Sequence, residues 1–305
     1  MQTPRDRFAE WPQLLERCGR KPTLKSVHAL RVATLRMQVE SQRKLDNLPG
    51  VSHEAQAIRR FGKVAQKLRD DLAPVRELHV WISKLRRLRE SLRETPGYVP
   101  RSTRQLILQV ERLEDRLKTK RKRAALKLEK KIQRHRQELL RIFRKLEEGN
   151  GVRSHEAHAN QSAKLAKEFA GIAAEFPVLE LSNLHEFRKA LKKIRYVAEI
   201  DRADPACRTI ATQMKKAQDA IGDWHDWELL ALLIGRKRHG KDAALADLLG
   251  NLASEAAQSA IAVSQATIQH MANLKREQHG EFDHLCKAPV RSERAVPLKS
   301  ASSLA

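Results

Sequence analysis

Between residues 102 and 148 the chain places an apolar side chain every three or four positions. Leu106, Val110, Leu113, Leu117, Ala124, Leu128, Ile132, Leu139, Ile142 and Leu146 carry the pattern. That spacing draws one seam along an α-helix and suits packing against another helix. Unbroken, such a helix is about 70 Å long. Strand-type alternation is absent elsewhere, and the 12 glycines and 11 prolines sit mainly between periodic segments, as in an all-helical protein. The spacing predicts an all-α fold with helices over 23–46, 53–72, 76–94, 102–148, 154–175, 182–202, 206–221, 225–238 and 242–277. Residues 102–175 are expected to form a long helical hairpin. Residues 1–20 read as an N-terminal extension and 287–305, "KAPVRSERAVPLKSASSLA", as a disordered tail. The last helix is rich in Ala and poor in cations, so it is expected to close a bundle by tight packing.

Charge narrows the function. Lys and Arg number 60 against 37 Asp and Glu, a formal net charge of +23. An excess of that size repels itself, so the expected partner is a polyanion: nucleic acid, polyphosphate or an anionic membrane surface. Residues 1–150 carry a net +20 and residues 151–305 a net +3, so the first half dominates at a distance. The three cysteines, Cys18, Cys207 and Cys286, lie far apart with no CxxC pair, which speaks against a disulfide framework or thiolate zinc and fits a reducing compartment. No apolar stretch follows the first charges, and no run approaches about 18 apolar residues. The expected address is the cytoplasm, with no membrane span.

"LHEFRKALKKIRY" (184–196) is the most informative short stretch. At about 100° per residue, Arg188, Lys192 and Arg195 fall to one side of His185, Lys189 and Tyr196 to the other, and Lys193 at the edge. Leu184, Phe187, Leu191 and Ile194 take the opposite face. A merely solvated helix tends to mix charge signs; this polar face is almost purely cationic. The pattern recurs. "VHALRVATLRMQ" (27–38) matches "LHEFRKALKKIR" (184–195) in a His, an Arg three residues on and a cation eight on. "LAPVRELHVW" (72–81) lines up with "IGDWHDWELL" (221–230). Two features in the same order point to duplication, hence two pseudo-equivalent helical bundles, about 21–150 and 180–280, with their His-bearing helices facing one another.

An all-α duplication with a His-x-x-Arg helix in each half resembles the CHAD family, the conserved histidine α-helical domain. His185, Arg188, Lys192, Lys193, Arg195 and Tyr196 fall on its pattern, and "KKAQDAIGDWHD" (215–226) is similar to the stretch that follows there. In the first copy His28, Arg31 and Arg36 match, while Leu35, Gln38 and Glu77 depart from it. The resemblance covers about 20–280. It implies non-catalytic binding of inorganic polyphosphate through a basic channel between the bundles, with recruitment to polyphosphate granules. Some relatives carry a triphosphate-tunnel catalytic domain marked by E-x-E-x-K; that pattern is absent, so the chain resembles a stand-alone binding member.

Such a ligand needs densely spaced cations on rigid elements. Arg188 and Arg195 offer planar forks to phosphate oxygens, and Lys192 and Lys193 offer mobile point charges. His28 and His185 are candidate donors whose charged form a dense anion favours, and Tyr196 adds one neutral hydrogen bond. Arg59 and Lys63 in the first half, and Arg208, Lys215 and Lys216 in the second, are expected to extend the track. Affinity should fall steeply with salt.

Other readings are weaker. A nucleic-acid binder fits the net charge, but aromatic residues are 4% of the chain and do not interleave with the stripe, so only non-specific binding is expected. An enzyme using His28 or His185 as a phosphoryl acceptor needs an orienting acid or a metal, and the carboxylate on the stripe, Glu199, lies about four turns from His185. No catalytic residue, cofactor or metal is assigned. "HEAH" (155–158) offers too few ligands for structural zinc, and "GNG" (149–151) is a turn. "KTKRKR" (118–123) reads as a solvated helix face serving at most as an electrostatic antenna. Trp81, Trp224 and Trp227 read as core anchors, and Asp223 and Asp226 as caps of a new helix.

Overall fold

The computed structural model describes residues 4–46, 48, 52–94, 100–148, 161–201, 203–235 and 242–286. Among them are eight α-helices and no strand: α1 (Pro4–Arg20), α2 (Leu24–Leu45), α3 (His53–Arg93), α4 (Arg101–Glu148), α5 (Gln161–Glu175), α6 (Leu184–Ile200), α7 (Pro205–Gly235) and α8 (Ala243–Cys286). The all-α expectation holds. Local chemistry sets several boundaries. Thr23 and Ser26 form a capping box at the start of α2, and Ser52 accepts from the Ala55 amide at the start of α3.

The four long helices each serve two cores. α1, α2, the first part of α3 and the last part of α4 bury Trp11, Leu15, Leu30, Phe61, Leu72, Ile132 and Phe143 together. α5, α6, the first part of α7 and the later part of α8 bury Phe169, Phe187, Leu191, Ile194, Met214 and Met271. Beyond both, the far ends of α3 and α7 meet the near ends of α4 and α8 in a third core around Leu85, Val110, Leu117, Leu230 and Leu249. The bundles touch through α2 on α6, α3 on α7 and α4 on α8.

Several sequence expectations are corrected. The first twenty residues, read as an extension, contain α1. Its Trp11 is buried, stacks on Phe143 at 5.3 Å and donates to Thr34 Oγ1 at 2.9 Å. Segments 53–72 and 76–94 are one helix through Pro74. An interior proline costs about 3 kcal/mol, but Leu72 and Val75 beside it are fully buried, at about 2 kcal/mol each. Segments 206–221 and 225–238 are likewise one helix, so Asp223 and Asp226 are not caps. Residues 102–175 do not form a hairpin of two packed helices: α4 lies along α3 and α1, and α5 packs on α6, α7 and α8. Trp224 is buried, and Trp81 and Trp227 pack against the third core. "HEAH", "GNG" and the 287–305 tail lie outside the described residues.

Candidate anion site between α2, α3, α6 and α7

Leu184, Phe187, Leu191 and Ile194 are fully buried, which fixes the roll of α6. Arg188, Lys192 and Arg195 are thereby half-buried on the face toward α2 and α7. Lys192 is the focus. Burial, then Arg188, Arg31, Arg69 and Arg76, push its ammonium down from 10.5 to about 8. Those four guanidiniums come from α6, α2 and α3, so both bundles build the cluster. Arg31 and Arg188 are themselves lowered, first by burial and then by neighbouring guanidiniums (Arg69 for Arg31, Arg76 for both). Arginine remains charged all the same, so repulsion is stored here.

Two carboxylates offset part of it. Glu199 is buried; Arg36 of the first bundle donates to its Oε2 at 2.8 Å and 3.1 Å, and Arg195 to its Oε1 at 2.9 Å. Burial pushes the Glu199 carboxyl up, but the two arginines outweigh it and hold it below its ordinary value. Arg76 donates to Asp226 at 3.1 Å. Further out, Arg43 pairs with Asp201 at 3.3 Å, and buried Lys84 donates to the Asp223 carbonyl at 3.2 Å while lying 4.2 Å from the Trp227 ring centroid. In all four pairs across this seam the cation belongs to the first bundle and the acid to the second, matching the lopsided net charges.

The remaining contacts are aimed by backbone. Arg31 Nη1 donates to the Arg69 carbonyl at 2.7 Å, and Arg188 Nε to the Gln218 carbonyl at 3.3 Å. Arg195 Nη1 donates to Gln218 Oε1 at 2.9 Å and its guanidinium lies 5.0 Å from the buried Tyr196 ring. At Gly222 a Cβ would stand 2.9 Å from Arg188 Nη2; the missing side chain is what lets the guanidinium cross α7. Two donors, Arg69 Nε and Gln218 Nε2, are buried without a partner, a deficit that an anion's oxygens would remedy.

The sequence-predicted residues therefore separate into two groups. Arg31, Arg36, Arg188, Lys192, Arg195 and Tyr196 converge. Exposed His28 sits beside them, its imidazole pushed down by burial and then by Arg76, Arg31, Arg36 and Arg195. His185 is exposed and lies against His225, ring centroids 5.4 Å apart; burial, then Lys189 and His225, lower it. The others point elsewhere. Lys189 pairs with Glu186 and Lys193 with Glu168, each at 2.8 Å, and Lys215 pairs with Asp219. Arg208 donates to the Ala203 carbonyl at 3.3 Å, and Arg59, Lys63 and Lys216 are exposed. Sequence reasoning missed Arg69 and Arg76. Their signal was a spacing of seven, the same two-turn step as Arg188 and Arg195.

Six arginines and Lys192 against two carboxylates suit capture of a multivalent anion. After burial, the groups that perturb His28 are guanidiniums. Among the described residues there is no group of metal-ligating side chains, and no helix is long and apolar enough to cross a membrane. The CHAD domain family model matches residues 5–235. No curated protein and no solved structure matches the chain. The match stops at the end of α7, although α8 completes two of the three cores.

Proposed function

The chain belongs to the CHAD family, and from that premise we propose that it binds inorganic polyphosphate without catalysis, at the cluster centred on Lys192. The carrying observation is that Lys192 sits among four arginines drawn from both bundles, an arrangement that is costly when empty and is relieved by a dense anion. Family members are associated with polyphosphate binding. The ligand passes between α2 and α6, in contact with Arg31, Arg69, Arg76, Arg188 and Lys192. His28 lies at the exposed margin, where bound phosphate favours its charged form. The chain acts as a binding module that places itself, and whatever it carries, on polyphosphate granules in the cytoplasm.

The halves α1–α4 and α5–α8 are pseudo-equivalent on this reading. Support comes from the order of the cores, in which α2 and α6, α3 and α7, and α4 and α8 hold corresponding places. Calorimetric titration at near-physiological salt tests the function. Long-chain polyphosphate is titrated into wild type and Arg188→Ala/Lys192→Ala, with duplex and single-stranded DNA competing at equal charge. Tight binding that survives DNA and collapses in the variant supports the proposal. Equal binding of every polyanion, unchanged in the variant, would leave bulk charge alone and favour nucleic acid.

A further inference from the structure

The outer face of α4 carries a second array of cations that takes no part in the cluster, since α4 packs on α3, α1 and α8. Around α4 at about 100° per residue, the strip within about 40° of Arg116 holds, from 112 to 134, Arg112, Arg116, Lys120, Arg123, Lys127, Lys130 and Arg134 and no other residue. All seven are exposed. Arg116 lies 4.0 Å from Asp242, and the other six have no ion pair or hydrogen bond among the described residues. The run spans about 33 Å, with a charge every 4.5–6 Å. The neighbouring strip is mixed, with Asp115, Lys122, Leu126, Glu129 and Gln133. Solvation alone gives mixed strips of that kind; six unpaired cations in line, with Arg116 4.0 Å from Asp242 as the seventh, cost repulsion that an external anion offsets.

We propose that this strip is a second binding track, separate from the Lys192 cluster, for a flexible linear phosphate polymer. The choice of polymer rests on the function proposed above; the existence of the track does not. Shape decides against duplex DNA. A helix reads a duplex by entering its major groove, but the buried edge of α4 (Val110, Leu117, Leu128, Ile132) is only about 120° from the strip, so neighbouring helices block entry. From outside, a straight strip follows a winding backbone for only a few phosphates, whereas a flexible chain meets all seven cations. Single-stranded nucleic acid wants aromatic platforms, and residues 101–142 contain no Trp, Tyr or Phe.

The test compares the full chain with Lys120→Gln/Arg123→Gln/Lys127→Gln/Lys130→Gln and with Arg188→Ala/Lys192→Ala, by titration with long-chain polyphosphate and duplex DNA across a salt series. The four substituted residues are exposed and unpaired, so the first variant stays folded, with a melting temperature at or slightly above the wild type's as the repulsion falls. It binds fewer phosphate equivalents at saturation, and its slope of log affinity against log salt is shallower by about 3, from a coefficient of about 0.7 per neutralised charge on single strands. The second variant retains the salt-sensitive uptake that the first one loses. Unchanged stoichiometry and slope in the first variant overturn the track, as does loss of DNA binding alone, which assigns the strip to nucleic acid. Wild-type polyphosphate binding by the second variant instead refutes the Lys192 site and leaves the track standing.

Discussion

Replacing Lys192 by glutamine should make the free protein more stable and a worse binder. In the folded state the ammonium is lowered from 10.5 to about 8 by burial and then by Arg188, Arg31, Arg69 and Arg76, which corresponds to about 3 kcal/mol of destabilisation at neutral pH. The penalty is whole below pH 8. Between about 8 and 10.5 the unfolded chain holds more protons than the folded one, so wild-type stability rises with pH and the penalty disappears. Lys192→Gln removes it at every pH. For a chain of this size the expected gain in melting temperature at pH 7 is roughly 5 °C, shrinking toward zero near pH 10.5. The variant binds polyphosphate more weakly at pH 7. Wild type takes up protons on binding near pH 8, because the polymer draws Lys192 back to its charged form; the variant does not. Thermal unfolding from pH 7 to 10.5, with calorimetry in buffers of different ionisation enthalpy, reads both effects. A variant no more stable at pH 7, or a gain that persists at pH 10.5, refutes the reasoning.

Three other substitutions test the surroundings of the cluster, and a fourth tests a buried ion pair away from it. Glu199→Gln strands Arg36 and Arg195 and should cost about 3 kcal/mol by chemical denaturation at pH 7; because the folded carboxyl titrates below its unfolded value, the gap to wild type closes as pH falls through that range. Gly222→Ala should hold or raise stability by up to about 1 kcal/mol through helix propensity, yet weaken binding by displacing the Arg188 guanidinium; unchanged affinity would mean Arg188 is not part of the site. Lys84→Met should change stability by less than about 1 kcal/mol, since its partner Asp223 is 57% exposed and stays hydrated. Arg89→Met should cost about 2 kcal/mol, since it withdraws one hydrogen-bonded cation 2.8 Å from Glu114, which is 1% exposed, and leaves Lys118 at 2.8 Å as its remaining partner.

What could be read from the chain was whatever follows from periodicity along one helix. The α4 seam and the α6 stripe are of that kind, because 3.6 residues per turn assigns each side chain a face before any partner is known. α1 reads as an extension although Trp11, Leu14, Leu15 and Cys18 have helical spacing; the stretch is short, and its burial depends on Phe143 and Thr34 far along the chain. Pro74 and Gly222 likewise read as breaks on local grounds. Each is overruled by tertiary packing, from Leu72 and Val75 in the first case and the crossing of Arg188 in the second. Arg69 and Arg76 were hidden for a different reason. Their spacing of seven gives each a face of α3, but their importance comes from acting on Lys192 of another helix, a relation that spacing along one helix does not encode. The same is true of Lys193, Lys215 and Arg208, which share the basic pattern but turn to Glu168, Asp219 and the Ala203 carbonyl.

The structure of the complex with polyphosphate at near-physiological salt locates the bound polymer directly. Phosphate oxygens are expected within hydrogen-bond distance of Lys192 and of arginines from both bundles, Arg31 or Arg69 on one side and Arg188 on the other, with Arg69 Nε or Gln218 Nε2 newly partnered. A polymer bound on the surface of one bundle, with the Lys192 cluster empty, would contradict the proposed site.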